Sequence, residues 1–105
     1  MDARERYDEI ADDLAAQNDD VSLGQMMGMP CIKKSSKMIG GFSKGAMVFK
    51  LPDVDVRERA LALEDAHLFD PSGEGRPFRE WVVVPATHAD RWPILADQAL
   101  TTPPA

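Results

Sequence analysis

In the first seventeen residues, apolar side chains recur every three or four positions, at Tyr7, Ile10, Ala11, Leu14 and Ala15. That spacing predicts a helix over about Ala3 to Gln17, with one apolar stripe and the acids on the opposite face. Asp2 is its candidate N-cap, and Asp2 and Glu5 sit where the helix dipole favours negative charge. Asn18, Asp19 and Asp20 read as the turn that follows. From Val21 to Leu51 the period shortens to that of strands broken by glycine and serine. The runs predict strands near Val21–Met26, Cys31–Lys33, Met38–Phe42 and Ala46–Leu51. Phe42-Ser43-Lys44-Gly45-Ala46 suits a hairpin, because Gly45 tolerates the positive φ such turns use. Gly40 and Gly41, inside a strand, suggest a bulge or a close backbone approach.

Pro52 stops the fourth run. Asp55, with Glu58 three residues later, then predicts a capped second helix reaching about Ala66, with Val56, Ala60, Leu61 and Leu63 as its apolar stripe. His67-Leu68-Phe69 reads as a short edge strand and residues 70–77 as a turn-rich loop. The β-branched and aromatic run from Phe78 to Val84 reads as a central strand. Proline belongs in a helix's first turn, so Asp90-Arg91-Trp92-Pro93 opens a last helix with Asp90 as N-cap. Its apolar face is Trp92, Leu95, Ala96, Ala99 and Leu100. This order predicts an α+β fold with helices packed on one face of a mainly antiparallel sheet.

The chain has 105 residues. That is enough for one modest core, so one domain is expected over 1–105, with 1–6 and 101–105 frayed. There is one Cys, too few for an intrachain disulfide, and no apolar run approaches the ~20 residues of a membrane helix. The start Met-Asp-Ala-Arg-Glu-Arg is unlike a signal peptide, so the expected location is cytoplasmic, with no membrane partner.

The net charge of -6 hides a segregated pattern. Residues 1–20 carry a net -6, residues 21–52 a net +5 with no acid, and residues 53–105 a net -5. Every lysine lies between Lys33 and Lys50. One reading is a solvated strand face on which lysine discourages edge-to-edge sheet association. The other is a docking face for an anionic partner, with Lys33, Lys34, Lys37 and Lys44 as its binding residues. A nucleic acid is a possible partner, although the overall acidity disfavours it.

Catalytic signatures are sparse. No phosphate-cradling loop or dinucleotide fingerprint is present, since Gly73-Glu74-Gly75 leads into a strand and not a helix. One Cys and two distant His supply no convincing metal set, and neither a metal nor a cofactor is expected. Cys31 could pair with His67 or His88 as a nucleophile, or could be a small buried apolar residue. The five methionines before residue 50 other than Met1 suggest either core packing or an adaptable groove. Gly75-Arg76-Pro77 places an arginine fork between a flexible and a rigid residue, with Glu80 close behind, and is a candidate small-ligand site or a structural turn.

Met26-Met27-Gly28-Met29, Met47-Val48-Phe49-Lys50-Leu51-Pro52, and above all Gly75-Arg76-Pro77-Phe78-Arg79-Glu80-Trp81-Val82-Val83-Val84-Pro85 resemble the TfoX N-terminal domain family. The likeness runs from about Tyr7 to Leu100. It implies a two-layer α/β sandwich with a bent, mainly antiparallel sheet. It also implies an association with competence regulation, known for a larger namesake with an additional C-terminal domain, and it supplies no catalytic residue. The resulting expectation is a non-enzymatic regulatory or protein-interaction module, a homodimer with a possible further protein partner. The alternatives are nucleic-acid contact through Lys33–Lys50 and a small-ligand protein or small enzyme using Arg76.

Overall fold

The computed structural model describes residues 2–26, 28–70, 73, 75 and 77–101. Helix α1 (Ala3–Gln17) starts where the Asp2 carboxylate accepts a hydrogen bond from the Glu5 backbone N–H at 2.8 Å. Residues 3–6 are therefore helical, and the fraying expected of 1–6 does not extend past the cap. Its polar face carries the exposed pairs Arg4–Asp8 and Arg6–Glu9, while Tyr7, Ile10, Ala11 and Leu14 are buried.

Four strands follow, β1 (Val21–Met26), β2 (Met29–Lys34), β3 (Lys37–Ser43) and β4 (Ala46–Lys50), then helix α2 (Val54–Leu61), β5 (His67–Leu68) and β6 (Trp81–Val84). A 3-10 helix (Ala86–Arg91) leads into α3 (Trp92–Thr101). The six strands form one open sheet in the order β1-β2-β3-β4-β6-β5, and every neighbouring pair is antiparallel. The fold is the expected α+β arrangement, with α1, α2 and α3 contributing to one core on one face of the sheet.

Register decides which side chains face that core. Ile32, Gly40, Phe49, Val82 and Leu68 lie opposite one another across five strands and point toward the helices. Trp92, fully buried at the start of α3, packs in this core and donates from Nε1 to the Val84 carbonyl at 3.2 Å. That bond satisfies the indole and ties α3 to the sheet. Pro93 falls in the first turn of α3, where its missing N–H costs nothing.

Both features expected around Gly40 and Gly41 are present, a bulge beside them and a close backbone approach at the glycines themselves. The β2–β3 register shifts between Ile32 and Lys33, leaving Ile39 as the extra residue of a bulge. A Cβ on Gly41 would lie 2.8 Å from the Pro30 carbonyl oxygen and 2.9 Å from the Met29 methyl carbon. Only glycine fits there without a shift of backbone.

Several boundaries differ from the sequence reading. The cap of α2 is Asp53, whose carboxylate accepts from the Val56 N–H at 3.1 Å, and not Asp55. The helix ends at Leu61, because tight turns from Leu63 to Ala60 and from Ala66 to Leu63, with Asp65 at φ 65°, redirect the chain. Phe78–Glu80 is a turn and not strand, closed by the Trp81 N–H on the Phe78 carbonyl. Asp90 lies inside the 3-10 helix and caps nothing. Thr101 is still helical, and the rest of the 101–105 tail lies outside the described residues.

Two outcomes are expected from this packing. Gly41→Ala should cost about 1–3 kcal/mol in urea unfolding, as overpacking of a fixed backbone does. A neutral effect would mean that the Pro30 carbonyl yields easily. Tyr7 is buried with its ring 5.4 Å from that of Phe42. Burial pushes its hydroxyl well above the ordinary tyrosine range, with Cys31, Asp8 and Asp12 adding to the effect and Arg4 opposing it. The folded chain thus holds a proton that the unfolded chain loses near pH ~10. Stability from this group is complete below that pH and falls as pH rises above it. Melting temperatures at pH 8 and in strong alkali should fall further for the wild type than for Tyr7→Phe, and equal falls would contradict the assignment.

Candidate interaction face

On the other side of the sheet, Cys31, Gly41, Val48, Val83 and His67 form the next row across β2, β3, β4, β6 and β5. Among the described residues no helix lies on this face. Val48 is nevertheless fully enclosed, because Met29 and Phe69 close over it, with Met38, Trp81 and Val83 packed around them. Met29 belongs to β2 and Phe69 follows β5, four strand spacings away, or roughly 19 Å in a flat sheet. Both residues nevertheless line the same two depressions, so the sheet curls with this face concave.

The smaller depression, about 290 Å³, is lined by Met26, Met29, Met38, Phe69, Phe78 and Trp81, with Lys37 and Lys50 on its rim. Phe78 and Met26 are 44% and 40% exposed and line the same depression, so they form one apolar patch and not two isolated exposures. Phe78 is held by an edge-to-face contact with Phe69 at 6.1 Å and by its N–H on the Phe69 carbonyl at 2.8 Å. The larger depression, about 860 Å³, continues past Met29 and Phe69 to Val83, His67 and Lys44.

The lysines contiguous in sequence do not form one patch. Lys37 and Lys50 meet at one end of the trough, whereas Lys44 sits in the β3–β4 turn at the opposite end of the seven-residue β3, roughly 20 Å away. Lys34 is engaged elsewhere: its Nζ donates to the Leu100 carbonyl at 2.9 Å, compensating the C-terminal end of α3. Lys33 is half-buried, with its Nζ near Gly24 of β1. None of the five lies on an edge strand, so they do not guard the sheet against edge pairing.

The loop singled out in the sequence is organised by Asp70. Its carboxylate accepts from the Gly73 N–H at 3.1 Å and the Gly75 N–H at 2.9 Å, and both glycines adopt positive φ. Pro77 is exposed, and the Glu80 carbonyl accepts from the Leu51 N–H at 2.7 Å. Arg76 lies outside the described residues.

Cys31 is fully buried, in the same row as His67 but four strands away from it. His88 contacts the Glu64 carbonyl through Nε2 at 2.9 Å, and Glu80 lies three strand spacings from Cys31, on the order of 14 Å. The residues considered for a thiol-based site are thus not brought together. Among the described residues no group of three or more His, Cys, Asp or Glu is placed to hold a metal, and no helix is long and apolar enough to cross a membrane.

The face that is built, therefore, is a concave apolar surface with two amines at one end, bounded by Met26 and Met29 on one side and by Phe69, Phe78 and Trp81 on the other. A scan of protein-family models gives no match to the chain, and no curated protein or solved structure matches it. The methionine cluster was visible in the sequence; its pairing with Phe69, Phe78 and Trp81 depends on long-range register and had no local signal.

Cys31 should react with iodoacetamide no faster than the protein unfolds. Fast labelling of the native state at neutral pH would contradict its enclosure.

Proposed function

We propose that this protein is a cytoplasmic, non-catalytic interaction module of the TfoX N-terminal domain type, which binds a partner polypeptide on the helix-free face of its sheet. The observation that carries this reading is the exposed Met26–Phe78 surface flanked by Lys37 and Lys50. The occupant is an extended or helical segment in which acidic residues flank leucine or aromatic side chains. Charge decides that choice: apolar groups fill the trough while carboxylates meet the two rim amines, the only charged side chains among the described residues that line the smaller depression. Methionines suit such a surface because their unbranched thioethers adapt to different shapes. The run Gly75–Pro85, on which the family resemblance rests, supplies Phe78 and Trp81 to this face, which supports reading it as the working surface.

A nucleic acid is the weaker occupant. Phosphate binding needs several free cations along one track, and here Lys34 is bonded to α3 and Lys44 is at the far end.

The test is selection of a displayed random-peptide library on the wild-type protein. Enriched peptides should combine Asp or Glu with Leu, Phe or Trp, and their binding should shift the emission of half-buried Trp81. The double variant Lys37→Glu/Lys50→Glu should bind them about tenfold more weakly, or ~1.4 kcal/mol. Enrichment of peptides without acids, or unchanged binding by the double variant, would contradict the proposal.

A further inference from the structure

The two edges of the sheet are treated differently. The β5 edge is two residues long, which leaves little to pair with. The β1 edge is six residues, Val21-Ser22-Leu23-Gly24-Gln25-Met26, with no charge and no proline. Natural sheets usually blunt such an edge with lysine, proline or a bulge. Here the lysines are all on interior strands or their turns, and the bulge lies between β2 and β3. Leu23 is 45% exposed on the strand that most needs protection.

Backbone parity shows what that edge offers. Gln25 pairs with Pro30, which has no N–H to exchange, so this is not a hydrogen-bonded pair of the β1–β2 ladder. By alternation Leu23 and Gln25 turn their amides and carbonyls away from β2, toward the open side. The Val21 N–H is already bonded to the Asn18 carbonyl.

We infer that β1 is a self-association edge, pairing antiparallel with β1 of a second copy of this chain about a two-fold axis at Leu23. In that register Leu23 meets Leu23 of the other copy, Val21 meets Gln25, and Asp20 meets Met26, so no like charges face each other along the joined strands. The two sheets continue as one, with the helices of both copies on the same side. A second copy suits this edge because β1 carries no charged residue of its own, and the Lys33 amine that reaches over Gly24 from β2 comes opposite the uncharged Ser22 of the second copy. The Leu23 side chain shares the row of Ile32, on the helix side, so the centre of this contact lies away from the proposed partner trough, which β1 reaches only at its end, through Met26.

Each copy carries a net charge of -6, so the copies repel at long range and the dimer should strengthen as salt rises. A lysine-mediated contact with the acidic α1 of another copy would weaken instead. Light scattering of the wild type should give twice 11.6 kDa at micromolar concentration in high salt, with dissociation favoured in low salt. Leu23→Lys places two like charges on the axis and should weaken association about tenfold or more, with the monomer's secondary structure retained because the site is already exposed. Lys37→Glu/Lys50→Glu should dimerise as the wild type does, whatever its effect on peptide binding. Amide exchange of wild-type Leu23 and Gln25 gives a reading free of any variant's folding: both should slow as concentration rises. A wild type that is monomeric at every salt, a dimer that survives Leu23→Lys, or exchange at Leu23 and Gln25 independent of concentration would overturn the inference.

Discussion

Three α-helices cover one face of the six-stranded sheet, and among the described residues no other helix covers the opposite face. The Trp92 indole, bonded to the Val84 carbonyl and buried among the core side chains, holds α3 on the covered face. Everything on that side follows the usual logic of apolar burial: α1 contributes one stripe, α2 contributes Ala60, and α3 contributes four further side chains. The uncovered face then needs its own solution. Curling the sheet lets Met29 and Phe69 close over Val48, which removes its most central side chain from water without a second layer. What curling does not hide is the periphery, and there Met26 and Phe78 remain exposed beside Lys37 and Lys50.

The glycine pair and the bulge belong to the same solution. Gly41 lies in the row of Val48, and its missing side chain is the space into which the Met29 and Met38 methyl groups settle. A larger residue there would push the methionines outward and open the trough. The concave face is thus shaped by the absence of a side chain as much as by those present, and folding stability and surface shape depend on the same few atoms.

Much of this was legible in the sequence, and the parts that were not have physical reasons. The first helix and β1 fall at the expected bounds, because an amphipathic stripe, a cap and a polar turn are all local signals. The one-sided helix layer followed from element order. The run from Phe78 to Trp81 misled, since its β propensity is high, yet Phe78 turns to meet Phe69 and the strand begins only at Trp81. The 3-10 helix Ala86–Arg91 has no apolar period to reveal it. The lysine block was read as one feature because it is contiguous along the chain, but a seven-residue strand carries its ends to opposite sides of the sheet. The candidate loop around Gly75 is shaped by Asp70, a contact within reach of sequence reasoning through the Asp-Pro-x-Gly turn chemistry.

The central claim is that the helix-free face receives a partner while the helical face stays closed. Methionine-methyl NMR tests it directly, because the residues report from both sides: Met26, Met29 and Met38 on the trough, and Met47 fully buried against the helices. On titration with a selected acidic-apolar peptide, the Met26, Met29 and Met38 methyl signals should move together and saturate while Met47 stays in place. Movement of Met47 with the three trough signals unchanged would contradict the account.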